Sequence, residues 1–308
     1  MLKNPVILTL ITIVLWSFGS LLARLIAIQS QFVLLTFSFF FSFVTLLVYT
    51  LIGKRSSKPY RLKLPIAYVL VGPLGYFLYS VAITQSSRAF DSISETTIIN
   101  NTWPIFTVIF SDLFFRKVHK SIRVRWIEGI GILLGLLSIL ILATNGDFHS
   151  LQINPVGLVW GLIAGIAYGV FGAYSGTISE EDQKNFLLFS IVFSLLLISI
   201  PAALEWGIIK PITITDIIVA FALGAIMDGL GYILWVRAIR LSHENNRSIS
   251  SIASFMLFLP FINLVIVKLF LRENHLLNPL FIVSLALLIL STYVVQRSKE
   301  ISFFLQKK

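Results

Sequence analysis

The chain has 308 residues, 57% of them hydrophobic and only 12% charged, against roughly 45–50% and 25% in soluble domains. That composition excludes an ordinary soluble enzyme and reads as a polytopic membrane protein. A net charge of +10 raises the question of a nucleic-acid partner, while the absence of cysteine and the scatter of four histidines leave disulfide, thiolate and metal-ligand chemistry without the residues they need.

A membrane-spanning helix requires about 20 predominantly apolar residues. Ten such stretches follow one another, at 4–28, 31–53, 64–86, 93–115, 124–144, 154–176, 185–205, 213–239, 249–271 and 277–297. The first lacks a small-residue cleavage site after a short apolar region, so it reads as a retained span and not a signal peptide. The connections are too short for a separate soluble domain, and a single membrane domain over 1–308 is expected. With the N-terminus on the cytoplasmic side, the loops there hold 18 Lys and Arg, and those on the other side hold three, Arg88, Lys210 and Arg272. Basic loops stay inside, which puts both termini in the cytoplasm. The same asymmetry accounts for the basic charge, and nucleic acid is set aside.

The fourth stretch, Glu95 to Lys117, is interrupted by Asn100, Asn101, Trp103 and Pro104. Proline has no N–H to donate, so the carbonyl of Asn100 loses its usual helical partner. Irregular backbone at membrane depth is tolerated where it is buried in protein or lines a cavity, so this segment should face inward. It also recurs. Shifting Gly75–His119 by 156 residues onto Gly231–His275 gives 14 identities in 45 positions without a gap, where chance gives roughly three or four. The matches include Gly75 with Gly231, Tyr76 with Tyr232, Pro104 with Pro260, and Leu113-Phe114 with Leu269-Phe270. Five spans separate the copies, an odd number, so equivalent helices run in opposite directions. The expected architecture is an all-α integral membrane protein of ten transmembrane helices in two inverted five-helix repeats, 1–148 and 149–308. In such folds the substrate site lies near the midplane, between the repeats.

Leu15-Trp16-Ser17, Trp103-Pro104 followed by Leu113-Phe114-Phe115-Arg116-Lys117, and the echo Leu259-Pro260 followed by Leu269-Phe270-Leu271-Arg272-Glu273 resemble the EamA-type branch of the drug/metabolite transporter superfamily. Asn100-Asn101-Thr102-Trp103-Pro104 is most similar to the aromatic amino acid exporters within it. Arg116-Lys117 and Arg272 depart from the family pattern, which has Gly-Glu and Gly there. The resemblance implies a ten-helix basket, alternating access and outward transport of amino acids across a prokaryotic inner membrane.

Asp228 lies halfway along the eighth stretch, with no basic residue within a helical turn. A carboxylate at that depth costs at least about 2.5–3.5 kcal/mol, so it should face a cavity or a partner, or carry a proton. Helical spacing puts Tyr232 and Trp235, at i+4 and i+7, on its face; the repeat counterparts are Tyr76 and Tyr79. These aromatics could wall a cavity, stacking on flat substrates or holding an ammonium, with helix packing as the plain alternative. Asn100, Asn101 and Trp103 could hydrogen-bond or stack on the same substrate, and Trp16 is a further candidate.

Other intramembrane charges read as structural. Asp112 and Arg116 have i,i+4 spacing, Glu128 follows Arg125 by one turn, and Arg24, Arg237 and Lys268 lie near enough to span ends to snorkel. Trp126 and Trp206 suit the interfacial belt. Gly229-x-Gly231 lies inside a span, so its expected role is close packing and not dinucleotide binding. No nucleophile–base pair, cofactor motif or nucleotide loop is apparent. The sequence therefore points to a non-enzymatic secondary transporter of small metabolites, amino acids and among them aromatic ones. Its partners are a small-molecule substrate and the lipid bilayer, with no oligomeric state assigned. The alternative substrates are cationic amines or drugs, with Asp228 as counter-charge; a passive assembly subunit is the third reading.

Overall fold

The computed structural model describes residues 3–25, 28, 30–52, 65–90, 98–114, 121–151, 154–208, 211–245, 249–271 and 279–306. Among them the regular elements are all helical. Eight of the helices are long and apolar enough to cross a membrane. The first and fourth expected stretches hold broken helices. The first is divided into α1 (Pro5–Trp16) and α2 (Gly19–Arg24). The fourth has helical residues 98–100, a turn at 101–102, and then α6 (Trp103–Phe114).

Between these run α3 (Gln31–Ile52), and a third span composed of α4 (Ile66–Pro73), a π-helical turn Leu74–Leu78 and α5 (Tyr79–Ala89). Next come α7 (Ile122–Thr144), α8 (Pro155–Ser175) and α9 (Glu180–Glu205). The eighth span comprises α10 (Ile214–Phe221), a ten-residue π-helix Ala222–Gly231 and α11 (Tyr232–Glu244). The ninth is α12 (Ile249–Met256) and α13 (Leu259–Leu271), followed by α14 (Pro279–Gln296) and a short terminal α15 (Ser298–Gln306).

The helix starts follow local chemistry. Asn4 and Asn154 each precede a proline and accept from the N–H two residues on, at 2.9 Å in both cases; proline at the first helical position sacrifices no bond. Ser179 caps α9, whose first turn holds Glu180, Glu181 and Asp182, the charge that suits a helix N-terminus. Thr213 and Asp216 form a reciprocal capping box on α10.

The breaks have local causes too. Before Pro104 the Thr102 N–H donates to Ile99 O at 3.1 Å, and before Pro260 the Phe258 N–H donates to Phe255 O at 3.0 Å. These are the same tightened turn, 156 residues apart, because a proline two positions on cannot continue the wider ladder.

Packing brings the third and eighth spans into the centre. A glycine-rich contact surface lies on α8, where Gly161, Gly165 and Gly169 let the fourth span approach so closely that a Cβ would press on Ile99, Thr102 or Phe106. Principal contacts pair α7 with α14, α8 with both α5 and α6, α9 with both α3 and α4, α3 with the long π-helix, and α1 with α11, α12 and α13. Ile13, Phe39, Tyr76, Phe171, Phe186 and Trp235 lie in the buried core.

Three of the structural charges meet partners across helices. Arg125 pairs with Asp112 at 3.8 Å, while Arg116 lies outside the described residues. Glu128 is buried and accepts from Ser250 Oγ at 2.8 Å, since tertiary neighbours reach it across helices. Arg237 does not snorkel; its side chain is largely buried and faces Glu180 at 3.8 Å. The side chains of Arg24 and Lys268 lie outside the described residues. Trp126 and Trp206 are exposed on the bundle surface.

Candidate functional site

The two π-helical segments meet where the third and eighth spans cross. Glycine lets each segment pack closely on a further span: a Cβ at Gly75 would overlap the Phe171 ring of α8, and one at Gly231 would overlap the Trp16 indole of α1. The Tyr76 and Tyr232 rings stack at 4.2 Å between centroids and 24° between planes. Each hydroxyl then crosses to the other span, Tyr76 O–H donating to Asp228 O at 3.1 Å and Tyr232 O–H to Gly75 O at 2.8 Å. A π-helix widens the backbone turn and is frequent at functional positions. Met227 O, beside Asp228, accepts the Trp16 Nε1–H at 3.0 Å, so side-chain donors from three spans satisfy this loosened ladder.

Around that crossing the aromatic rings form one contiguous cluster. Trp16, at the end of α1, lies 5.8 Å from Tyr232, 6.1 Å from Trp103 and 6.5 Å from Trp235. Trp103, at the start of α6, meets Trp235 edge-on at 5.5 Å. Tyr79 donates its O–H to Asn100 Oδ1 at 3.0 Å, which ties the break in the fourth span to α5. Asn101 is buried beside it. The nine residues singled out from sequence, Trp16, Tyr76, Tyr79, Asn100, Asn101, Trp103, Asp228, Tyr232 and Trp235, thus lie at or next to one crossing of four spans.

Asp228 lies in the π-helical residues 222–231, and its carboxylate accepts from Ser38 Oγ of α3 at 3.1 Å. It is half-buried, and among the described residues it has no ion-pair partner.

Two members escaped the sequence reading. Tyr168 of α8 is buried at the centre, 4.8 Å from Tyr79, 4.9 Å from Trp103 and 5.6 Å from Tyr232. Its signal was a phenol set within the glycine stripe of a close-packed helix, next to Gly169. Ser38 is one of two hydroxyls, with Ser42, inside the phenylalanine run of α3. Elsewhere, an open groove of about 580 Å³ lies at the ends of α7 and α14, lined by Ile141, Asn145, Gly146, Asp147, Phe148, Leu280 and Val283. It is mostly apolar and contains none of the clustered residues, so its size does not make it the site.

The setting of this cluster comes from comparison with known proteins. Residues 3–144 match the EamA-like transporter family. That match covers a little under half of the chain, and it accords with eight apolar helices long enough to cross a bilayer. The chain also superposes on a solved protein crystal structure with a TM-score of 0.75 at 15% identity, over 94% of this chain and 95% of the other, so the two share a fold. No curated protein sequence matches the chain.

Proposed function

We propose that the protein is a secondary transporter that moves small amphipathic metabolites, amino acids and among them aromatic ones, outward across a prokaryotic cell membrane by alternating access. The ten spans form two inverted halves, 1–148 and 149–308, with both termini in the cytoplasm. Packing supports this reading. Exchanging each span for the one five places away converts the contact of spans 2 and 8 into that of 7 and 3, that of 3 and 6 into that of 8 and 1, and that of 4 and 6 into that of 9 and 1; each of these pairs is in contact. Inverted repeats of this kind hold substrate at the midplane and rock around it.

The observation that carries the functional reading is the convergence of aromatic rings, an asparagine and a carboxylate from both halves on one crossing. Ring faces receive an aromatic side chain, Asn100 and the carboxylate of Asp228 supply polar contacts, and together they suit a molecule with unlike ends. The described rings pack on one another, so substrate enters by separating them, which is what rocking of the halves would do. With no nucleotide-binding motif in the sequence, the driving force is a gradient, and Asp228 is positioned to carry a proton. Cationic amines are the second reading, favoured by an Asp228 carboxylate without a basic partner beside aromatic faces.

Proteoliposomes test both. Uptake of labelled phenylalanine, and not of choline, enhanced by a pH gradient, is the expected result. Choline flux without phenylalanine flux would favour the second reading, and absence of both would remove the proposal.

A further inference from the structure

The Trp235 indole is fully buried, and among the described residues its Nε1–H has no hydrogen-bond acceptor. Its ring sits inside the aromatic cluster, edge-on to Trp103 at 5.5 Å and tilted against Trp16 at 6.5 Å. Leaving a donor buried and unpaired costs roughly 1–3 kcal/mol, and each such group in a native structure calls for an explanation. Packing alone does not give one, because phenylalanine supplies an aromatic face without the N–H. Trp16 shows the contrast within the same cluster, its Nε1–H being satisfied by Met227 O. Asn100 adds a second donor: its Oδ1 already accepts from Tyr79, so the chemistry it can offer a ligand is that of the amide N–H.

We propose that Trp235 Nε1–H is a substrate-recognising donor that takes an acceptor oxygen on the transported molecule. The site then has two chemical poles, the Asp228 carboxylate for an amine and the Trp235 indole, with the Asn100 amide, for an oxygen. A substrate must carry both groups. An amino acid does, with its carboxylate as the acceptor, and a simple arylalkylamine does not. This rests on the amino-acid reading above and makes it more specific, since it separates carboxylate-bearing substrates from amines of the same ring and chain.

The test is binding of L-phenylalanine and of phenethylamine to the purified full-length protein, for wild type, for Trp235→Phe, and for a protein with β-(3-benzothienyl)alanine at position 235. The last keeps the bicyclic shape and replaces the ring N–H by sulfur. Both replacements are expected to weaken phenylalanine binding by about 10- to 100-fold, the effect of losing a hydrogen bond to a charged acceptor, and to weaken it several-fold more than phenethylamine binding. The inference is overturned if the sulfur isostere binds phenylalanine like wild type, if both ligands weaken equally, or if wild type binds only phenethylamine. Should wild type bind neither ligand, the amino-acid reading itself falls and this inference with it. Unchanged affinities in variants of a protein that binds both would remove this inference alone.

Discussion

Among the described residues Asp228 meets only the Ser38 hydroxyl through its side chain, although it lies halfway along an apolar span. If it carries the coupled proton, Asp228→Asn should abolish the response of substrate flux to a pH gradient, at least about tenfold, while exchange without a gradient persists. Indifference of both fluxes to the substitution would exclude Asp228 as proton carrier or counter-ion. The tyrosines give a separate prediction about stability. Tyr76→Phe and Tyr232→Phe each delete one hydrogen bond between spans and keep the stacked rings. Each should cost about 1 kcal/mol, a fall in melting temperature of about 2–4 °C in detergent if the protein follows domains of 150–250 residues. A neutral outcome would mean that water replaces the bond.

Among the elements, the π-helical crossing and the two proline breaks are the irregular parts, and their glycines divide into those that are needed and those that are not. Gly231→Ala pushes a methyl group into the Trp16 indole and threatens its bond to Met227, so it should destabilise the protein by about 1–3 kcal/mol. Gly129 has nothing near its missing Cβ. Gly129→Ala should therefore be neutral or slightly stabilising, by up to about 1 kcal/mol of helix propensity. Thermal unfolding of the two variants side by side checks the pair. Equal effects would show that the close crossing relaxes at little cost. Asp112 is the other lesson at this scale: it lies within 3.8 Å of Arg125 on the next span, a partner that tertiary packing brings and sequence spacing does not mark.

For the whole molecule, a polar network closes the end of the bundle that we assign to the cytoplasm. Arg240 contacts Glu180 at 3.3 Å, Glu244 at 2.5 Å and Gln183 at 3.2 Å, and Gln183 also donates to Ser175 O and Val236 O. At the opposite end Ser30 O–H donates to Glu205 at 2.6 Å, joining the start of α3 to the end of α9. If the halves rock, these contacts must alternate. The chain has no cysteine, so a single cysteine is a clean reporter. Ala173→Cys, at a fully buried position near that end, should react several-fold faster with a maleimide in inside-out vesicles when Glu180→Gln is added. An unchanged rate would mean that this network does not hold the end shut.

The sequence by itself determined the apolar spans, the two interrupted helices and the residue types gathered at the centre. Those follow from composition, from proline and from the cost of polar groups in lipid, all of which are local or additive along the chain. Only the tertiary structure decided that Asp228 turns toward Ser38, that Tyr168 joins the rings, and that Trp235 keeps an unpaired N–H. Helical spacing sets the neighbours of Asp228 along its own span, but the partner of its carboxylate comes from α3, and a contact between spans far apart in the chain leaves no local trace of its register.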